Sequence, residues 1–178
     1  AVQKLYNQLE GSQSSKIKVH RLLNSMFKKA MQLEMMSKNI MVAVVPPNSE
    51  QKEVEVFTDL EVKQLFSAIK SSQYYAKYYT LIYTAISTGA RLGEILGLKI
   101  KAVKDGHIVI NNNLQHIKSV PMDFPPKTKA GNRKITISKD LERALRQVAF
   151  DGVISFEGYV FRTRNGTPYR ADNINKIW

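Results

Sequence analysis

The chain contains no cysteine, so disulfide frameworks and thiolate metal sites are excluded. Three scattered histidines do not form a metal-ligand cluster either. No apolar run approaches the ~20 residues needed to span a bilayer. The first fifteen residues lack the charged start and apolar stretch of a signal peptide. No internal repeat or low-complexity segment interrupts the 178 residues. These absences lead to an expectation of a soluble, cytoplasmic protein without a structural metal and without a membrane partner.

Acidic residues are also scarce: 15, against 27 lysines and arginines, for a net charge of +12. Residues 1–52 carry eight basic and three acidic side chains, and the remainder nineteen and twelve. Both parts are basic, which argues against one basic tail on a neutral domain. A positive field of this size favours a polyanion, most commonly nucleic acid.

Periodicity divides the chain. Ser14 or Ser15 can cap a helix running to about Asn39, with Val19, Leu22, Leu23, Met26, Ala30 and Leu33 at helical spacing. Lys18, Arg21, Ser25, Lys28 and Gln32 form its basic side. Met26, Met31, Met35, Met36 and Met41 read as adaptable packing. Pro46-Pro47-Asn48-Ser49 breaks this pattern, and polar residues follow to Glu55, as in a linker. Thr58 and Glu61 then match a capping box, with Phe57 and Val62 as a hydrophobic staple and Leu65, Phe66 and Ile69 turned inward. A second, largely apolar helix is expected from Gln73 to Ser87, ended by a left-handed Gly89. A short helix follows, from Arg91 to Leu98.

Beyond it the pattern turns to strands. Asp105-Gly106 marks a turn, His107 to Ile110 a strand, and 113–120 a second candidate. Pro125 to Ile137 reads as a loop or hairpin turning at Ala130-Gly131-Asn132, then a strand. A helix over Lys139–Phe150, a turn at Asn165-Gly166 and the start of another helix complete the chain. The fold class is mainly α with a small antiparallel β-sheet (α+β).

By itself, the Arg91–Glu94 pair is a helix-surface ion pair worth about 0.2–0.5 kcal/mol. Lys127, Lys129, Arg133 and Lys134 are by themselves a charged, solvated hairpin. Their order along the chain carries more. Thr88-Gly89-Ala90-Arg91-Leu92-Gly93-Glu94-Ile95-Leu96-Gly97-Leu98 resembles the TG-x-R-x-x-E-[IL]-x-x-L box of tyrosine recombinases of the phage and conjugative-transposon integrase kind. PKTKAGNRKITIS resembles their catalytic-lysine β-hairpin, and FTDLEVKQLFSAI the first helix of their catalytic domain.

The resemblance implies the end of a helical core-binding domain over 1–47, a linker over 48–55 and the N-terminal part of a catalytic domain over 56–178. It implies a site-specific recombinase that breaks and rejoins DNA through a 3′-phosphotyrosine. Arg91 would bind the scissile phosphate and Glu94 would support it. Lys129, four residues before Arg133, would be the general acid, with Lys127 as runner-up. Lys18, Arg21, Lys28, Lys127, Arg133 and Lys134 are the DNA-contact candidates. The implied partner is double-stranded DNA in the bacterial cytoplasm, with no cofactor, the parent protein a tetramer on two duplexes and this fragment a monomer.

The sequence departs from the family pattern after the lysine segment. No histidine follows His116, no H-x-x-R occurs, and Tyr159 and Tyr169 fall too early to be the nucleophile. The expectation is a fragment unable to cleave DNA. The alternatives are a non-catalytic DNA-binding or regulatory protein on the same scaffold, and a basic helical RNA binder in which Arg91 has no special role.

Overall fold

The computed structural model describes residues 2–48, 55–151 and 157–177. The chain divides into two compact units, Ala1–Val56 and Phe57–Trp178. Most of the expected linker, residues 49–54, lies outside the described residues.

The first unit pairs α1 (Val2–Gln8) with the longer α2 (Gln13–Gln32). Ser12, rather than Ser14 or Ser15, caps α2 by accepting the Ser15 N–H. The buried Tyr6 hydroxyl meets His20 Nδ1 at 3.1 Å and ties the two helices. Asn39 caps a 3-10 turn over Ile40–Ala43 and reaches back to Asn24. The helix stops at Gln32, seven residues short of expectation, because Glu34 enters the left-handed region at φ 58°. Val19, Leu23 and Ala30 are half-buried as the periodicity predicts. Leu22, Met26 and Leu33 are not, each standing more than half exposed.

The second unit opens with α3 (Asp59–Ser71), whose capping box is complete: Thr58 N–H donates to Glu61 Oε2 and Glu61 N–H to Thr58 Oγ1. The staple does not form a buried pair, since Phe57 is exposed. A 3-10 turn over Ala76–Tyr78 leads into α4 (Tyr79–Thr88), so the expected helix begins six residues late. Phe66 of α3 meets Tyr79 and Tyr83 of α4 edge-on. α5 (Leu92–Leu96) follows and buries Ile95 and Leu96.

Two small sheets come next. β1 (Val103–Lys104), β2 (His107–Ile110) and β5 (Arg133–Thr136) form one antiparallel sheet in the order β1-β2-β5. β3 (Asn113–Ile117) and β4 (Val120–Phe124) form a separate hairpin. The single strand expected over 113–120 is therefore two strands joined at Lys118-Ser119. Both turn residues have positive φ, which a two-residue hairpin turn of this type requires. Pro125–Ile137 takes the loop alternative rather than the hairpin. β5 pairs with β2, Ile110 opposite Arg133, and not with the strand before it.

α6 (Lys139–Phe150) is capped by Ser138 and buries Leu141, Leu145 and Ala149. α7 (Ala171–Asn175) follows the turn at Gly166. The core of this unit gathers Leu81, Ile95, Leu96, Ile108, Ile110, Leu141, Leu145, Val160 and Phe161, all essentially without solvent contact. Among the described residues no helix is long and apolar enough to cross a membrane.

Candidate active site

Arg91 owes its position to the two residues that begin its motif. Thr88 Oγ1 donates to Thr84 O at 2.6 Å and accepts the Ala90 N–H, closing the end of α4. Gly89 takes φ 59° and donates its N–H to Ala85 O, reversing the chain at little steric cost. Arg91 then falls at the N-cap of α5, extended at φ −66° and ψ 149°. An arginine side chain has no acceptor with which to cap a helix. Glu94 supplies the link instead, accepting the Arg91 N–H at 3.0 Å.

Glu94 is the centre of the site. Its side chain is 3 % exposed, yet it is ionised and fully engaged. Oε1 takes Arg91 Nη1 at 3.0 Å, and Oε2 takes Arg133 Nη2 at 2.9 Å. Burial alone would raise its pKa. The hydrogen bonds from Arg133 and Arg91 outweigh that effect and hold the carboxyl below its ordinary value of 4.5. The two cations differ in exposure: the Arg91 side chain is 79 % exposed and Arg133 31 %. Arg133 is thus turned onto Glu94 and the Gly131 carbonyl. Arg91 keeps most of its guanidinium edge toward solvent.

Gly89, Arg91, Thr128, Ala130, Gly131 and Arg133 line a cavity of about 380 Å³. Its far wall is the loop before β5, with a 3-10 turn over Lys129–Gly131 and a Gly131 N–H bond to Thr128 O. Gly131 is required there, because a Cβ would lie 2.4 Å from Pro126 Cβ. Arg91 and Arg133 are the charged residues of this lining, and the pocket suits an anion the size of a phosphodiester.

Neither a protein-family model nor a curated protein sequence matches the chain. Solved structures do. The Tn1549 transposon integrase in complex with a circular intermediate DNA matches with a TM-score of 0.71 and 25% identity, over 88% of this chain and 53% of that one. The same integrase with transposon right end DNA gives 0.70 and 25%, over 86% and 52%. The chain shares its fold with these integrases, which are tyrosine recombinases. Lambda integrase bound to DNA shares the fold at a TM-score of 0.61 and 18% identity, over 93% of this chain and 55% of that one. The chain spans about half the length of these integrases.

The residues predicted from the sequence fall into three groups. Arg91, Glu94 and Arg133 come together, although Arg133 is 39 residues from Glu94 in sequence. Lys129 begins the 3-10 turn Lys129–Gly131 of the same loop, while Lys127 and Lys134 are exposed beside it. Lys18, Arg21 and Lys28 are exposed on α2 in the first unit. Sequence reasoning missed Thr128 and Gly131 as lining residues. It also missed a carboxylate hub at Asp123; only the three-dimensional convergence of its partners reveals that hub.

Proposed function

We propose that the chain carries the phosphate-binding half of a site-specific DNA recombinase that works through a 3′-phosphotyrosine. What supports this reading is one observation: a buried Glu94 holds Arg91 from behind and leaves its guanidinium facing a phosphate-sized cavity. The DNA complexes of the Tn1549 integrase point to duplex DNA as partner. A tetramer of lambda integrase on a Holliday junction points to the same assembly for the parent protein.

In the reaction, a tyrosine oxygen bonds to phosphorus while the bond from phosphorus to the 5′-oxygen breaks. The leaving oxygen takes a proton, and attack by a 5′-hydroxyl later reverses the step on the partner strand. Charge gathers on the non-bridging oxygens in the transition state. Arg91 stabilises it with planar, permanently charged donors already oriented by Glu94. Lys129 is the general acid for the leaving oxygen, with Lys127 the alternative. Neither Tyr159 nor Tyr169 is the nucleophile, so these 178 residues bind DNA without cutting it.

Fluorescence anisotropy with a labelled duplex tests the reading. The chain should bind with an affinity that falls steeply with salt, as counterions are released. A covalent adduct on a nicked suicide substrate, or an affinity indifferent to salt, would overturn it.

A further inference from the structure

Along the chain the β3–β4 hairpin lies between the two parts of the site, α5 and the loop that carries Thr128 to Arg133. Its seat on α5 is unusually close. A Cβ on Gly93 would lie 2.3 Å from Asn113 Oδ1 and 3.0 Å from Leu114 O, and one on Gly97 2.9 Å from Leu114 N. The two glycines, one helical turn apart, let the strand backbone lie directly on the short helix that bears Arg91 and Glu94.

The root of the hairpin is fastened at one carboxylate. Asp123, next to last in β4, accepts Asn112 Nδ2 at 2.8 Å and the Tyr159 hydroxyl at 2.9 Å on Oδ1. Its Oδ2 takes Lys99 Nζ at 2.8 Å. Asn112 also donates to Gly97 O at the end of α5. Tyr159 is itself fixed to the core. Val160 N–H bonds Leu98 O, Ile100 N–H bonds Gly158 O, and Arg162 donates to the Tyr159 carbonyl. The Lys99 ammonium lies 3.4 Å from the centre of the Tyr159 ring, so the three groups form one unit. Donors from the segment after α5, the β2–β3 link and the Tyr159 segment all converge on the strand that runs into the cavity loop. None of the four side chains touches the cavity.

We propose that Asp123, with Lys99, Asn112 and Tyr159, is a positioning residue that holds the Thr128–Arg133 loop in register with Arg91 and Glu94. The proposal rests on the reading of that cavity as a phosphate site, since the register matters only if both walls act on one ligand. Because the cluster lies outside the cavity, its effect is transmitted through β4 and α5. It should be visible before any DNA is added.

Amide hydrogen exchange on the whole chain, without DNA, tests this. In Asp123→Ala, exchange should quicken about tenfold or more at Arg91 and Gly131, the weight of losing hydrogen bonds to a charged group. Exchange at Leu145, in α6, should stay as it was. Tyr159→Phe removes one donor without disturbing the fold, and should move the same two amides by a smaller factor. Unchanged exchange at Arg91 and Gly131 in both variants overturns the proposal. So does an equal acceleration at Leu145, which signals general loosening. Duplex affinity of the same variants separates the two ideas. Loosened amides with weakened binding support both. Loosened amides with unchanged binding keep the positioning cluster and count against the phosphate site.

Discussion

Replacing Glu94 by alanine tests the centre of the site. The substitution removes the acceptor of the Arg91 N–H, of one Arg91 guanidinium nitrogen and of Arg133. Breaking a fully buried ion pair costs about 3–5 kcal/mol, mostly from the charge left behind. Here the cations are unequal. Arg91, 79 % exposed, stays hydrated and adds little. Arg133, 31 % exposed, bears most of the cost. A loss of about 2 kcal/mol follows for Glu94→Ala, and about half that for Glu94→Gln, which keeps a carbonyl acceptor. For a unit of this size that is a fall in Tm of about 6–10 °C for the alanine variant.

Circular dichroism melts at neutral pH measure the fall directly, and a pH series adds a signature. The folded pKa of Glu94 lies below its ordinary 4.5, so its contribution is complete above that pH and is lost as pH falls through the folded value. The gap between the native chain and Glu94→Gln should therefore close on acidification below 4.5. A gap within error at neutral pH, or one that does not change on acidification, would refute the assignment of Glu94 as an ionised hub.

Arg91→Ala should lower Tm by no more than about 1–2 °C, because the side chain is mostly exposed. It should weaken duplex binding about fivefold or more in anisotropy titrations; unchanged affinity would remove Arg91 from the phosphate site. Gly97→Ala should destabilise by about 1–3 kcal/mol in urea melts, since its Cβ would press on the Leu114 backbone nitrogen. Leu145→Ala, in the centre of the core, should cost about 2–5 kcal/mol with no change in DNA affinity once folded.

What could be read from the sequence was local. The Thr58–Glu61 capping box, the left-handed Gly89 and the start of α6 depend on residues within one helical turn, and each is present as predicted. The Thr88–Glu94 box was legible for the same reason, since Thr88, Gly89, Arg91 and Glu94 are linked within seven positions. The chemistry that spans longer distances was not. Arg133 was read as a free DNA contact, and only folding brings it onto Glu94. The hairpin turn at Lys118-Ser119 carries no glycine or asparagine, so its positive φ angles left no trace in composition. Pairing β5 with β2 bypasses the hairpin between them, which no local pattern announces. Asp123 drew no attention because its three partners come from separate segments.

The uncovered apolar residues of α2 bear on how the chain behaves in solution. Leu22, Met26 and Leu33 stand more than half exposed on a molecule of net charge +12. Mutual repulsion keeps such molecules apart at low ionic strength, and added salt shortens its reach to about 10 Å at 0.1 M. The attraction between apolar patches is not screened, and sulfate or phosphate strengthens it. If the chain binds DNA as proposed, raising salt to release the duplex would therefore also promote self-association of the released protein. The two processes separate by concentration: release depends on the ion alone, whereas clustering grows with the amount of protein. Scattering recorded beside each titration would tell them apart.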